Sequence, residues 1–129
     1  MTNCKLKIET ISEEATVFRT AALFEALEGG GRVVYPVESD EGTITFGKEG
    51  IAMERRGACS LSAVFRAGAR SEMILNSDGG KGVIPVETTG YSSEKKPYGY
   101  RLSLRYVLNG SDWIQKFHLK ITVKFSEEK

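Results

Sequence analysis

The sequence predicts an all-β fold of nine or ten antiparallel strands in one domain spanning residues 1–129. Three observations indicate this. Apolar and polar residues alternate along most of the chain. Turn residues recur every 8 to 12 positions or so, which is typical of a sandwich or a closed barrel. No internal repeat or linker divides the chain, and its length suffices to bury roughly two thirds of the unfolded surface in one core.

The strongest element is a β-hairpin predicted from Tyr98 to Phe125. Its turn, Asn109 to Asp112, contains Asn-Gly, which tolerates the positive φ angles of a tight hairpin. With either two or four residues in the turn, even positions of the first arm lie beside odd positions of the second, so the register is well specified. The predicted inward residues are Tyr98, Tyr100, Leu102, Leu104, Tyr106 and Leu108 on the first arm, and Trp113, Gln115, Phe117, Leu119, Ile121, Val123 and Phe125 on the second.

The first two elements differ in clarity. Residues 4 to 12 alternate as a strand and end in a polar turn. Residues 15 to 28 are ambiguous, because Ala, Leu and Glu favour a helix that Gly29 to Gly31 could cap, whereas the first half is β-branched and aromatic. We predict a strand here, since all neighbouring segments also have the strand pattern.

The residue pattern in the middle of the chain predicts six further strands. Pro36 indicates an edge or a bulge in the first of them, because proline cannot donate a ladder hydrogen bond. Tyr91 to Pro97 is expected to be a polar loop before the hairpin. The six strands are Arg32 to Glu38, Thr43 to Phe46, Ile51 to Arg56, Cys59 to Arg66, Arg70 to Asn76 and Val83 to Thr89.

Composition narrows the class of protein. Lys plus Arg is 18 and Asp plus Glu is 17, so no overall charge drives the chain toward nucleic acid or membrane. The N-terminal residues form no apolar signal region, and no apolar run is long enough to cross a membrane as a helix. We expect a soluble, cytoplasmic protein. Cys4 and Cys59 are in phase with apolar strand positions and are expected to be reduced core thiols.

Several residues resemble a known pattern. Arg55-x-Gly57, followed by Phe65, Gly68, Thr88 and Tyr106, resembles the YwiB-like family of small bacterial proteins, over residues 4 to 125. The resemblance implies an antiparallel calycin-like (lipocalin-like) β-barrel. It implies no activity, because none is established for the family. Calycin barrels often hold a small apolar ligand, so a ligand-binding role follows by analogy of fold alone.

No catalytic or metal-binding pattern is present. The single histidine, His118, falls on the predicted outer face, and two separated cysteines do not have zinc or haem spacing. The carboxylate pairs Glu13-Glu14 and Glu127-Glu128 are interpreted as solvated. We therefore expect a protein that is not an enzyme and has no cofactor and no metal.

Arg55 is the most informative single residue, because it shares a face with Ile51 and Met53 and is predicted to point inward near a strand end. A buried guanidinium must be paired. One interpretation is a structural clasp, satisfied by carbonyl groups or by a hydroxyl such as that of Tyr106. The other is a cavity that binds a ligand's carboxylate or phosphate. The residues predicted to line that cavity are Arg55, Met53, Phe65, Tyr100, Tyr106 and Trp113.

Charge is segregated along the chain. Residues 9 to 54 contain ten acids and three bases, whereas Asp112 is the only acid between residues 95 and 126. If the first strand closes against the last, Lys5 and Lys7 extend the basic outer face of the hairpin. Exposed aromatic residues are not interleaved with the bases, which argues against nucleic acid as the partner. The predicted basic outer face consists of Arg101, Arg105, Lys116, Lys120 and Lys124.

Two functional hypotheses follow. The first is a non-catalytic binding module that takes a small amphipathic or anionic ligand at the barrel end near Arg55. The alternative is an interaction module whose basic outer face docks RNA or an acidic protein. An enzyme that uses Arg55 with Glu38 is the least supported, since it requires both side chains to meet inside the barrel. Ligand identity and oligomeric state are not predicted.

Overall fold

The computed structural model describes residues 1–126, and all its regular elements are strands. Glu127 and Glu128 lie outside the described residues. None of the described residues belongs to a helix long and apolar enough to cross a membrane. The strands are β1 (Thr2–Ile11), β2 (Ala15–Leu27), β3 (Gly30–Val37), β4 (Asp40–Phe46), β5 (Gly50–Arg56), β6 (Ser60–Arg66), β7 (Arg70–Ser77), β8 (Gly80–Lys96), β9 (Gly99–Asn109) and β10 (Ile114–Phe125).

The ten strands form a closed antiparallel barrel in which every strand pairs with its neighbours in sequence. β1 closes the barrel by pairing with β10, from Cys4 opposite Phe125 to Ile11 opposite His118. This up-and-down order confirms the predicted all-β fold, and the chain adopts the barrel rather than the sandwich. Closure leaves no free first or last strand, although two of the pairings are short.

The β9–β10 hairpin has the predicted register. Leu104 lies opposite Leu119 and Leu102 opposite Ile121, so even positions of the first arm meet odd positions of the second. The turn contains four residues, with the Gly110 N–H donating to the Trp113 carbonyl at 2.8 Å. The prediction that Trp113 points inward is wrong. Its side chain is 41% exposed and its ring lies over Gly110, where a Cβ would overlap it.

Residues 15 to 28 are mostly a strand, as predicted, and the helix alternative is wrong. β2 pairs with β1 from Ala15 to Phe24, so the backbone groups that a helix would use internally are used in the sheet. Glu28 and Gly29 form the hairpin turn, with Gly29 at φ 78°, and Gly30 and Gly31 begin β3. Gly31 leaves space for the ring of Phe24, which a Cβ would contact. Pairing with a neighbouring strand thus overrides the helix propensity of this segment.

The loop predicted for Tyr91 to Pro97 is wrong. β8 continues through this region to Lys96, after a bulge between Thr88 and Gly90 that shifts the register against β9. Ser92 lies opposite Ser103, and Glu94 opposite Arg101, both on the outer face. Polar residues on a solvated strand face resemble a loop in composition, and this caused the error.

Every strand contributes apolar side chains to the barrel interior. Phe24, Phe46, Tyr100 and Phe125 pack together with ring centroids 5.0 to 6.4 Å apart. A second aromatic group joins Phe65 to Tyr106 at 4.7 Å, and Tyr106 to Phe117 at 5.1 Å. A barrel of similar strand number has interior space for one small ligand at most. Side chains of this size fill such a space.

The two shortest strand pairings are those of β6 with β7 and of β2 with β3. β6 and β7 share three residue pairs, Ser60–Asn76, Leu61–Leu75 and Ser62–Ile74. β2 and β3 share the five pairs between Leu23–Leu27 and Gly30–Val34, because the two strands then diverge. Among the described residues, positions 15–22 of β2 therefore pair with β1 alone.

Candidate functional site

Arg55 lies at a barrel end, where the ends of β3 and β5 meet the start of β4. Its Nε donates to Asp40 Oδ2 at 2.8 Å, and this hydrogen bond raises the pKa of the guanidinium. The Asp40 side chain is only 5% exposed, and its Oδ1 also accepts from the Ala58 N–H at 3.2 Å. Gly57 admits this carboxylate, since a Cβ there would overlap Asp40. Arg55 and Asp40 thus tie β5 and the following turn to β4.

Glu38 is the second acidic neighbour of Arg55, with Oε2 3.5 Å from Nη2. Its side chain is 83% exposed, and its φ of 55° places it in the turn between β3 and β4. The Glu38 side chain therefore lies at the surface and not inside the barrel. The geometry that the enzyme hypothesis requires is absent from the described residues.

The structure does not bring the predicted cavity residues into one site. Phe65 and Tyr106 contact each other in one aromatic group, and Tyr100 belongs to the other. Met53 is half-buried against the core beside Ile44 and Ala63. Trp113 lies at the hairpin turn. Arg55 is engaged by Asp40 rather than by Tyr106, which the sequence had suggested as a partner.

Thr88 and Tyr106 place hydroxyl groups in the largely apolar interior. Thr88 is 1% exposed, and its Oγ1 has no hydrogen-bond partner among the described residues. Tyr106 lies opposite it on β9, and burial raises the pKa of its phenol to about 12. By contrast, the Tyr91 hydroxyl donates to the Gly47 carbonyl at 2.7 Å, which links β8 to the β4–β5 turn. The interior is apolar, with a single orphaned hydroxyl.

The basic outer face is continuous over four adjacent strands. Pairing of β1 with β10 places Lys5 opposite Lys124, as the sequence predicted if the barrel closed this way. Pairing of β1 with β2 adds Arg19 opposite Lys7. We define the basic face by its cations, which are Lys5 and Lys7 on β1, Arg19 on β2, Arg101 and Arg105 on β9, and Lys116, Lys120 and Lys124 on β10.

Acidic residues also lie within or beside the basic face, and two of them, Glu9 and Glu94, are paired with lysines. Glu9 lies 3.1 Å from the Lys7 ammonium, and the pKa of Glu9 is lowered by Lys7 and, more weakly, by Lys120 and Arg19. Glu94 lies 2.7 Å from the Lys96 ammonium. A groove of about 380 Å³ runs along the β2–β1–β10 part of the face, with Lys5, Lys7, Arg19 and Lys124 on its walls. The eight cations of the basic face outnumber these two acids.

His118 lies on the same outer face, as predicted, between Ile11 of β1 and Arg105 of β9. Its Nε2 and the Ser103 hydroxyl share a hydrogen bond of 2.9 Å. Partial burial, followed by the charges of Arg105 and Lys120, lowers the pKa of the imidazole. Burial first, and the neighbouring cations second, thus favour the neutral form of the imidazole.

The cysteines differ from each other. Cys4 is buried as predicted, and burial raises the pKa of its thiol. Cys59 is exposed, so its predicted place in the core is wrong. It precedes β6 in the turn, one residue before the alternation of the strand begins. Within residues 1–126, no three His, Cys, Asp or Glu side chains gather as a metal site.

Sequence reasoning missed two residues that matter here. Asp40 falls between the predicted strands that end at Glu38 and begin at Thr43, and its partner Arg55 is 15 positions away, so only the β4–β5 register brings the two together. Arg19 was counted with the acidic part of the chain. The signal that could have found it is the β1–β2 hairpin, whose alternation places it on the same outer face as Lys5 and Lys7.

These features define a class, a closed ten-stranded up-and-down barrel with a packed interior and a basic outer face. The solved structure of the ywiB protein from Bacillus subtilis has this fold, with a TM-score of 0.87 and 17% sequence identity, covering 98% of this chain and 93% of that one. This confirms the YwiB-like barrel expected from the resemblance. No family model matches the sequence, and neither does any curated protein.

Proposed function

We propose that this protein is a non-catalytic binding module whose basic face docks an acidic partner protein. The observation that carries the proposal is the closure of β1 against β10, which joins the cations of β2 and β1 to those of β10 and β9 in one surface. Such a surface attracts an acidic partner, accelerates encounter and selects against basic partners.

A small ligand at the barrel end has less support. Arg55 already has a buried carboxylate as its partner, so a ligand's carboxylate would have to displace Asp40. Two groups of aromatic side chains pack inside the barrel and reduce the space for a ligand. These two observations favour the surface over the interior as the place of binding.

A protein is favoured over RNA as the partner because of the aromatic residues. Binding of single-stranded nucleic acid uses exposed aromatic rings between the cations, on which bases stack. The outer positions of β9 and β10 carry no Phe, Tyr or Trp. The exposed Tyr98 and Trp113 lie in the turns before and after β9, Tyr98 beside Lys5 and Lys124, so neither is interleaved with the cations of these two strands. Binding at this surface therefore depends on charge.

The test is a titration with poly-L-glutamate at increasing salt, with a single-stranded RNA oligonucleotide as the competing probe. The triple variant Lys116→Glu/Lys120→Glu/Lys124→Glu reverses one row of the basic face. Its matched control, Lys48→Glu/Arg70→Glu/Lys81→Glu, reverses the same number of exposed cations elsewhere. We expect poly-L-glutamate affinity to fall by about tenfold or more in the first triple variant and far less in the control.

Salt dependence gives a second readout, because charge-driven binding weakens as ionic strength rises. Equal loss of affinity in both triple variants would show that net charge, and not this face, determines binding. Tighter binding of the RNA than of poly-L-glutamate would make nucleic acid the partner. Either result contradicts the proposal.

A further inference from the structure

His118 lies among the cations of the basic face, and the proposed function gives it no role. Arg105 lies opposite it on β9, and Ile11 lies opposite it on β1. Lys116 and Lys120 lie two positions to either side of it on β10. Side chains opposite each other, or two positions apart along a strand, share one face of the sheet. Three of the four outer-face neighbours of the imidazole are therefore cations.

A groove beside His118 includes two of these cations. Its volume is about 440 Å³, and Arg105 and Lys116 line it together with the imidazole. This volume is near the lower end of the range for small-ligand pockets, so the groove suits a side chain rather than a whole strand. Its lining contains no acidic residue, and its other members include Ser12 and Thr89, which carry hydroxyl groups, and the apolar Ile11 and Val107.

The acids around His118 lie outside the lining of this groove. Glu9 lies opposite Lys120, and its carboxylate is 3.1 Å from the Lys7 ammonium. Within residues 1–126, no carboxylate forms an ion pair with Arg105, Lys116 or Lys120. The other charged groups on the surrounding elements are Glu13 and Glu14 in the β1–β2 turn, Glu87 and Glu94 on β8, and Arg101 on β9.

We propose that the groove beside His118 binds a carboxylate side chain of the acidic partner, and that this binding takes up a proton at His118. The carboxylate contacts Arg105 and Lys116, and its charge offsets the cations that oppose protonation of the ring. The protonated ring has two N–H donors, one for Ser103 and one for the carboxylate. The identity of the partner rests on the proposed function, whereas the site rests on the strand pairing and on the groove.

Docking and protonation of His118 are then linked. Burial, followed by the charges of Arg105 and Lys120, lowers the pKa of the imidazole in the free protein. A bound carboxylate favours the charged form of the ring. By reciprocity, protonation strengthens carboxylate binding by the same factor by which the carboxylate strengthens proton binding. Docking should therefore tighten as the pH falls below the ordinary histidine pKa of about 6.5.

The first test measures the pKa of His118 by proton NMR on the wild-type chain, with and without saturating poly-L-glutamate. His118 is the only histidine of the chain, so its ring signals overlap with those of no other histidine. We expect poly-L-glutamate to raise this pKa by an amount that corresponds to about threefold or more in proton affinity.

The second test compares the affinity for poly-L-glutamate at about pH 7.5 and about pH 6, where glutamate side chains stay ionised. We expect the affinity of wild type to rise by about twofold on acidification. The variant His118→Gln keeps a polar side chain at this position and cannot take up the proton, so its affinity should change clearly less.

A matched pair of variants locates the site. Arg105→Gln and Lys5→Gln each remove one cation of the basic face, but only Arg105 lines the groove beside His118. We expect the rise in the pKa of His118 on binding to fall to less than about half in Arg105→Gln and to persist in Lys5→Gln.

Three results would overturn this assignment. The first is an unchanged pKa of His118 when poly-L-glutamate is bound. The second is an equal change of the pKa rise in Arg105→Gln and Lys5→Gln, because the charge of the whole face would then cause it. The third is an equal gain of affinity on acidification in wild type and His118→Gln. The proposed function is decided separately, because its triple variants are compared by affinity at one pH and not by the pKa of His118.

Discussion

Asp40 determines what Arg55 does. The sequence predicted that Arg55 points inward at a strand end and needs a partner, and a structural clasp was one of the two interpretations. The partner itself was not predicted, because Asp40 lies outside the predicted strands and contacts Arg55 only through the β4–β5 register. The inward direction of Arg55 was thus predictable from the alternation of residues along its strand. Its partner was not, because the contact joins the ends of two strands.

Thr88 offers a direct test of how dry the interior is. Its hydroxyl is buried and has no partner among the described residues. Replacement by valine removes a desolvated polar group and keeps the shape of the side chain. We therefore expect Thr88→Val to raise the free energy of unfolding by about 1 kcal/mol, as measured by urea denaturation.

The neighbouring Thr89→Val is the control, because the exposed Thr89 hydroxyl donates to the Arg105 carbonyl at 3.3 Å. Its effect should be within about 0.5 kcal/mol. A loss of stability in Thr88→Val would show that the hydroxyl has a partner, such as a buried water.

The lowered pKa of His118 predicts that the stability of the fold depends on pH. Its pKa is lower in the folded state than in the unfolded chain, so the unfolded chain takes up the proton first as pH falls. Stability should therefore fall as pH drops below the ordinary histidine value of about 6.5 toward the folded pKa. His118→Gln keeps a group that can bond to Ser103 and removes this titration.

The measurement is the difference in unfolding free energy between wild type and His118→Gln from about pH 8 to about pH 5, where carboxylate effects common to both cancel. We expect wild type to lose more stability than the variant on acidification. An equal or smaller loss in wild type would contradict the lowered pKa.

At the scale of elements, the alternation of apolar and polar residues predicted most strands. It missed a strand segment whose outward residues are polar and solvated. The β9–β10 hairpin was predictable because two apolar faces and an Asn-Gly turn agree on one register. The second half of β8 was missed because its outward Ser92 and Glu94 have the composition of a loop. The prediction that Trp113 points inward is wrong because the turn has four residues and includes Trp113. The sequence did not decide between a turn of two residues and one of four.

The turn between β9 and β10 predicts a coupling between two residues. A Cβ at Gly110 would overlap the Trp113 ring, so Gly110→Ala should cost about 1 to 2 kcal/mol of stability. Trp113→Ala removes the ring, and in that background Gly110→Ala should cost much less. A double-mutant cycle by chemical denaturation measures the coupling, and additive effects would refute the overlap.

At the scale of the molecule, the sequence predicted nine or ten strands but not which pairings are complete. Closure of β1 on β10 was treated as a condition, since contacts between the two ends of a chain leave no local signal. The short β2–β3 and β6–β7 pairings depend on how the barrel wall curves, and the basic face depends on closure. The candidate site was therefore predictable in its β9–β10 half only.

The short pairing of β6 with β7 predicts where the barrel opens. Three residue pairs join these strands, compared with eleven between β9 and β10. We expect amides of Ser60 to Ser62 to exchange at least about tenfold faster than those of Leu102 to Leu104, by native-state hydrogen exchange. Equal protection in the two regions would show that the barrel opens as one cooperative unit.

The hydrogen bond from the Ser126 N–H to the Asn3 carbonyl, 3.0 Å long, places the two ends of the described chain side by side. The barrel wall is then a closed ring of strands. Its architecture does not depend on which strand comes first in the sequence. Circular permutation, with the original ends joined by a short linker and new ends in an exposed turn, should preserve the barrel. The basic face would survive it, because its cations are joined by the pairing of β1 with β10 and not by the order of the strands in the sequence.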